Sequence, residues 1–409
     1  MYSLVYQEHV FIVQLKVYNI ISMKRFFPII LIVIIYVLLI SPNSSFAIEN
    51  PLSLPNNKVG VHILFPSEIS LVANLVNSSG GDWGYATIPI QTGDKNLEKW
   101  QKFMNDAKKL HVIPIIRLAT EGDYFNTVVW KKPTEEDILD FANFLNSLVW
   151  PVENRYIVVF NEVNRSDEWG GDLNPAEYAE LLNYTISTFK LLSNDFFIIS
   201  SGLDNAAPNI SGKYMNEYDY MIAMNDAVPG IFGLLDGLGS HSYPNPGFKQ
   251  LPYTLTNQSV YSFNFEKNLA YRLSGKNLPV FITETGWTKN SLSENQIAGY
   301  FKYAFQYVWS DKDIAAVTTF LLQTGQGSFS QFSLVNEDGS YTQIFTALQS
   351  ISKTKGKPTV KYGMNLSSDL SSKNLPIKTF SKQKKYKDLP LEKTDAIVEF
   401  FKWLLKLSI

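Results

Sequence analysis

Eight short apolar runs recur along the chain, at residues 59–64, 85–90, 112–118, 156–160, 196–201, 235–240, 279–283 and 316–321. They are continuous rather than alternating and rich in β-branched residues, the pattern of parallel strands covered on both faces. Between them apolar residues return every three or four positions, which is helical spacing. Residues 97–110 put Leu97, Trp100, Phe103, Met104 and Ala107 on one stripe, and 134–148 do the same with Ile138, Phe141, Ala142 and Leu145. Thr134 with Asp137 three places on reads as a capping box. Asn174-Pro175 supplies an N-cap and a first-turn proline for a helix running to Leu192. Residues 293–309 carry Ile297, Tyr300, Phe301, Ala304 and Val308 at the same spacing, and further helices are expected around 213–227 and 262–274. Strand then helix, repeated eight times, predicts an α/β fold, a (β/α)8 TIM barrel over residues 48–352. The rival is a doubly wound open sheet. It would carry a glycine-rich turn after an early strand, and neither GxGxxG nor GxxxxGK[ST] occurs.

The two ends of the chain read differently. Residues 26–40 are apolar and uncharged, Lys24 and Arg25 precede them, and Ser45 and Ala47 stand at the −3 and −1 places of a cleavage site. This three-part pattern predicts export, with residues 1–47 a signal peptide or an uncleaved anchor and Met23 a candidate start. From Lys353 to Lys387 ten lysines face one acid, Asp369, so 353–388 is expected to be a Lys-rich linker. Residues 389–409, with Phe400, Phe401, Trp403 and Leu404, predict an amphipathic helix. Two readings of it stay open: packing on the barrel, or contact with a membrane or anionic cell-envelope surface.

Composition narrows the function. The chain has 409 residues, 45% of them hydrophobic and 18% charged, which excludes intrinsic disorder. Cys is 0, so a disulfide scaffold is excluded, and a net charge of −2 gives no footprint for nucleic acid. The His residues lack metal-ligand spacing, and no metal or other cofactor is expected; no Gly-x-Ser-x-Gly elbow occurs, which weakens an esterase reading. The 8 Trp, 22 Tyr and 27 Phe suit a site that stacks flat polar ligands.

In such a barrel the carboxyl ends of the strands converge on one site. The fourth run ends Phe160-Asn161-Glu162-Val163-Asn164 and the seventh ends Thr283-Glu284-Thr285-Gly286-Trp287. Two carboxyl groups facing each other across one barrel mouth are what hydrolysis of a glycosidic bond requires. One donates a proton to the leaving oxygen, and the other is ionised.

The Asn-Glu pair at 161–162 and the Glu-Thr-Gly-Trp run at 284–287 resemble the clan A glycoside hydrolases, with "VVFNEV" and "ITETGW" most similar to the plant-type endo-1,3-β-glucanases. The resemblance covers roughly residues 56–352. It implies a retaining glycosidase acting on a β-linked polysaccharide or oligosaccharide by double displacement, with Glu162 as acid/base and Glu284 as nucleophile. It also implies that Asn161 binds the sugar 2-hydroxyl, that Tyr243 orients the nucleophile, that His241 lines the site and that Trp287 belongs to a sugar-stacking wall. The clan often places an arginine near the nucleophile from strand two. Here that strand ends without one, and Arg117 at the end of strand three is the candidate. Many members carry Trp after strand eight; here Gln323 is the expected replacement.

Blander roles compete with several of these. Arg117 has a possible loop partner in Glu121, and His62 is either a hydrogen-bonded barrel residue or site-lining. Trp130 and Trp169 are divided between loop packing and stacking, and Asp167 and Glu168 read as solvated loop charges. A retaining pair should lie about 5–5.5 Å apart. The alternatives from other classes are a catalytically inactive carbohydrate-binding or envelope-interaction barrel, and a transglycosylase.

Overall fold

The computed structural model describes residues 48–324 and 327–360; the expected leader, most of the expected linker and the expected C-terminal helix lie outside them. Eight strands are present: β1 Val59–His62, β2 Gly84–Gln91, β3 Val112–Ala119, β4 Arg155–Val158, β5 Phe196–Ile199, β6 Leu238–His241, β7 Val280–Glu284 and β8 Ile314–Thr319. They form one parallel sheet in the order β5-β4-β3-β2-β1-β8-β7-β6. Parallel bridges Ile199 to Gly237 and Asp204 to His241 bring the two edges together, so the sheet is a nearly closed barrel. Glycine makes that closure feasible: a Cβ on Gly239 would lie 2.2 Å from the Ser200 carbonyl oxygen.

A helix of eight residues or more follows each strand: α1 Ile69–Val76, α2 Leu97–Lys109, α3 Glu135–Ser147, α4 Pro175–Leu192, α5 Glu217–Ala227, α6 Ser262–Ser274, α7 Glu294–Tyr303 and α8 Gln343–Ser350, with a single extra turn at Ile231–Leu234 before β6. The caps read from sequence form. Thr134 N–H donates to Asp137 Oδ2 at 2.8 Å and Asp137 N–H donates back to Thr134 Oγ1 at 3.2 Å. α7 does not run unbroken to Trp309; it changes to a π turn over Ala304–Val308. The helices α1 and α8, not singled out from the sequence, have eight residues each and bury Ile69, Val72, Leu75 and Val76 and Ile344, Phe345, Ala347 and Leu348. No helix among the described residues is long and apolar enough to cross a membrane.

Alternation along each strand separates two cores. On β4 and just past its end, Ile157 and Val159 join the helices in the outer core, whereas Tyr156 and Val158 belong to a second cluster with no helix residue in it. That second cluster is therefore the barrel interior. Tyr156 stands at its centre, with ring centroids 4.9 Å from Phe197, 5.5 Å from Phe281 and 6.0 Å from Tyr85. Ile48, Leu52 and Val360 pack against it. Residues 353–360 also bond to the barrel, through Gly356 N–H to Asp82 O at 3.0 Å and Glu153 N–H to Thr359 O at 2.8 Å. The rise in lysine at Lys353 therefore precedes the last barrel contacts. With the interior filled by aromatic rings, the carboxyl ends of the strands are left to form the open mouth.

Candidate active site

β4 delivers Glu162 through a distorted segment. Phe160 and Glu162 have φ of 67° and 36°, a left-handed backbone that side chains with a Cβ rarely adopt. Such a conformation costs on the order of 1–3 kcal/mol per residue and persists where its surroundings enforce it. Here Glu162 N–H donates to Gly202 O at 3.0 Å. Asn164 ties the following turn down, accepting from Asp204 N–H at 2.9 Å and donating to the carbonyls of Asp204 and Met215 at 3.0 Å each. Gly202 also leaves room for the next strand's contribution, since a Cβ there would lie 2.1 Å from His241 Cδ2.

Glu162 and Glu284 meet across the mouth. One carboxylate oxygen of each, together with a ring nitrogen of His241, lie within 4.8 Å of one another. Glu284 Oε1 accepts from Arg117 Nη1 at 2.9 Å and Oε2 accepts from Tyr243 Oη at 3.0 Å. Glu162 Oε1 accepts from His241 Nδ1 at 3.0 Å and Oε2 accepts from Arg165 Nη1 at 3.3 Å. Arg117 also donates to Asn161 Oδ1. His62, fully buried beside Phe320, approaches Glu284 Oε1 at 3.5 Å.

The surroundings divide the charges. Burial alone would raise Glu162, but the hydrogen bond and charge of His241, with Arg165 and Arg117, outweigh it and hold the carboxyl below its ordinary value. Burial likewise opposes the charged form of His241, yet Glu284 and Glu162 hold it above the usual histidine value. The proton of this pair therefore rests mainly on the imidazole. Burial, then the charges of Arg117 and His241, push His62 far down, so it is neutral and its approach to Glu284 is not an ion pair. Glu162, His241 and Glu284 are the only group of three among the described residues spaced to hold a metal ion. Arg117 beside Glu284 and the proton on His241 work against a cation there.

The cleft over this pair encloses about 250 Å³. Phe320, Phe329, Phe332, Phe248, Tyr124 and Trp130 supply its aromatic walls. The structure brings Glu162, Glu284, Asn161, Arg117, His241 and Tyr243 together, and Arg117 pairs with Glu284 while Glu121 pairs with Lys131.

Three expected residues do not line the cleft: Trp287, Gln323 and His241, which is buried and meets the site through its bond to Glu162. Trp287 points outward into the helix layer, with its ring 5.0 Å from Phe301 and its Nε1–H donating to Gln250 O at 2.7 Å. The reason is the tight passage at Gly286, where a Cβ would meet the Phe320 carbonyl oxygen at 2.9 Å; the chain turns there and the indole leaves on the helix side. Gln323 is also absent from the lining, and Phe320 occupies that wall instead. Its peptide bond to Leu321 is cis, and Leu321 and Leu322 then turn into the core. Trp169 is packed between Phe160 and Tyr178, whereas Trp130 faces the cleft.

Sequence reasoning missed three polar groups. Glu168 and Asp204 line the cleft rather than facing bulk water, and Arg165 links Glu162 to Asp167 and Asp204. Burial and the charge of Glu162 push Glu168 up to about 7 and Asp204 up to about 6. For Arg165 and Glu168 the available signal was their proximity in sequence to Glu162, which by itself does not separate a cleft wall from a solvated loop; Asp204, after β5, carried no such signal.

The family described as "Glycosyl hydrolase catalytic core" matches residues 119–347. No curated protein matches the sequence. Among solved structures, a family 39 glycoside hydrolase from Bacteroides cellulosilyticus WH2 aligns at TM-score 0.51 and 17% identity over 75% of this chain and 65% of its own. A glucosidase from Croceicoccus marinus aligns at 0.53 and 11% over 77% and 72%. A GH5_18 variant from Streptomyces cattleya, in complex with Manb1-4GlcNAc, aligns at 0.51 and 10% over 73% and 80%. This chain thus spans slightly less than two thirds of the Bacteroides protein, and at these identities the likeness is one of fold.

Proposed function

The chain belongs to the glycosyl hydrolase catalytic core family, and from that premise we propose that it is a retaining glycosidase acting on a β-linked polysaccharide or oligosaccharide. One observation carries the reading: Glu162 and Glu284 present carboxylate oxygens within 4.8 Å of each other at the mouth of the barrel. That spacing suits direct attack by a carboxylate, whereas an inverting pair stands about 6.5–9.5 Å apart to admit water between.

Arg117 and Tyr243 fix both oxygens of Glu284 as acceptors, which suits a nucleophile. In the first step a Glu284 oxygen bonds to the anomeric carbon as the bond to the leaving oxygen breaks, and Glu162 gives that oxygen its proton. His241 Nδ1, one hydrogen bond from Glu162 Oε1, supplies the proton that the pair holds. Once Glu284 is esterified its negative charge is gone, so His241 loses one of the two charges that hold its proton. In the second step Glu162 takes a proton from water, the water oxygen bonds to the anomeric carbon, and Glu284 leaves. Asn161 contacts the sugar 2-hydroxyl between the two carboxyls, and Phe320 and Trp130 stack on the apolar sugar faces.

The test is hydrolysis of a panel of β-glucans, mannans, galactans and aryl β-glycosides, with the anomer of the first product read by NMR. Retention of configuration is expected. Inversion would remove the covalent step, and binding without release of reducing sugar would favour a binding barrel. Export is proposed with it, from the charged, apolar and small-residue sequence of 24–47. Its check is the N-terminal sequence of the protein recovered outside the cell, expected at Ile48.

A further inference from the structure

The parallel ladder between β6 and β7 slips by one residue where the two strands reach the mouth. Leu238, Gly239 and Ser240 pair with Val280, Phe281 and Ile282, but His241 then pairs with Glu284, and Thr283 is passed over. Such a slip re-aims the side chains beyond it, since a shift of one residue exchanges the two faces of a strand. In the unshifted register Thr283, not Glu284, would stand opposite His241. Both strands end at this pair. A side chain carries the register further: Thr285 Oγ1 donates to Ser242 O at 2.7 Å, one residue on from Glu284 and His241. Tyr243 N–H donates to His241 O at 2.9 Å and closes a three-residue turn centred on Ser242. From the two ends of that turn His241 Nδ1 meets Glu162 Oε1 at 3.0 Å and Tyr243 Oη meets Glu284 Oε2 at 3.0 Å.

We propose that Ser242 and Thr285 are positioning residues for the glycosidase reaction: they hold the turn after β6 against the end of β7, so that His241 reaches Glu162 and Tyr243 reaches Glu284. Both are fully buried and neither lines the cleft, so they act through their neighbours. Ser242 is also anchored from behind. Its Oγ accepts from Phe263 N–H at 3.2 Å and lies 2.8 Å from Ser240 Oγ and 3.1 Å from Ser262 Oγ. Phe263 is the second residue of α6, and its N–H is one of the donors that a helix start leaves without an intrahelical partner. Tyr261 at the N-cap supplies no side-chain cap, so the bond from Phe263 to Ser242 satisfies the helix and fixes the turn together. Thr285 is held on its other side, because its carbonyl oxygen accepts from Phe320 N–H at 2.8 Å, just past β8. Its hydroxyl therefore reaches Ser242 from a backbone already tied to a third strand end. The inference rests on the proposed function for its kinetic consequence but not for the tie itself.

Two measurements test it. In the first, T285V, T285S, S242A, Y243F and T285V/Y243F are assayed on the aryl β-glycoside that the wild-type protein hydrolyses best. Valine leaves the buried Ser242 carbonyl without this donor, so T285V should lower kcat about tenfold while KM changes less than about threefold. T285S, which keeps the hydroxyl, should recover most of the loss. S242A, which frees the turn from α6, should lower kcat about threefold. In the Y243F background T285V should cost less than about threefold, because the contact it serves is already gone. A T285S as poor as T285V, fully additive losses in the double variant, or an S242A with parent kcat would overturn the proposal. In the second, crystal structures of the wild type, T285V, T285S and S242A compare the separation of Tyr243 Oη from Glu284 Oε2. It should stay near 3.0 Å in the wild type and T285S. It should exceed about 3.5 Å in T285V and lengthen in S242A, which carries the test if T285V does not fold. An unchanged separation in the variants that lose a bond would overturn the tie. Variants that open as expected, in a protein whose wild type hydrolyses nothing on the panel, would sink the glycosidase reading while the tie between Thr285 and Ser242 stands.

Discussion

The barrel holds two pairs of glutamates, one at its mouth and one behind β6, in opposite surroundings. Glu162 and Glu284 at the mouth have Arg117, Arg165 and His241 within ion-pair distance. Behind β6, Glu217 at the start of α5 and Glu266 within α6 are buried, and among the described residues no cation pairs with either. Glu266 Oε1 accepts instead from Ser240 Oγ at 3.0 Å and Ser262 Oγ at 2.9 Å. Burial pushes Glu266 up to about 7, and burial together with the neighbouring Glu266 charge pushes Glu217 well above the ordinary carboxylate value. The same side chain is thus kept charged in one place and protonated in the other. What differs is the supply of fixed positive charge, which offsets desolvation only at the mouth. Ser240 and His241 are consecutive on β6 and face opposite ways, so this one strand serves both pairs.

The largest expected effect comes from making the mouth resemble the interior. E284Q should lower kcat by about 10⁴-fold while leaving the thermal midpoint close to the parent's. Near-parent turnover would remove Glu284 from the chemistry. H241N should cost about 10–100-fold, because the proton donated through Glu162 then has no reservoir. The alkaline limb of its kcat/KM profile should move to lower pH, since the limb would report Glu162 without the raised imidazole.

The interior pair should answer in stability rather than in rate. Its carboxyls bind protons more tightly in the folded chain than in the unfolded one. Their contribution is therefore complete below the ordinary carboxylate value and is lost as pH rises through about 7. E217Q should leave kcat within about threefold and flatten the fall in thermal stability between pH 5 and 8 by on the order of 1–2 kcal/mol. Parallel declines in parent and variant would show that the pair does not hold its proton through that range. R165Q should have the smallest effect on the mouth, because Arg165 is shared with Asp167 and Asp204. It takes positive charge from Glu162, so the alkaline limb should move to higher pH, opposite in sign to H241N.

Much of the site was legible because the strand ends are local features. Phe160-Asn161-Glu162 and Thr283-Glu284 each mark the point where an apolar run stops, and a parallel barrel brings such points together. Trp287 was misread because the direction of a side chain three residues past a strand end depends on how the chain turns there. The contact of Gly286 with Phe320, from the next strand, decides that turn. Glu168 was misread because its desolvation comes from the folded-back loop carrying Trp130, and nothing in its own sequence window records that approach. Arg117 left Glu121 for Glu284, a partner 167 residues away, for a similar reason.

Residues along the chain determined by themselves the eight strands, most of the helices with their caps, and the two glutamates, since periodicity, capping and strand punctuation act over a few residues. Tertiary structure alone decided which carboxyls carry charge and which aromatic rings face the cleft. Those properties depend on burial and on charges brought close from distant parts of the chain, and an electrostatic environment is a sum over neighbours that only the folded barrel assembles.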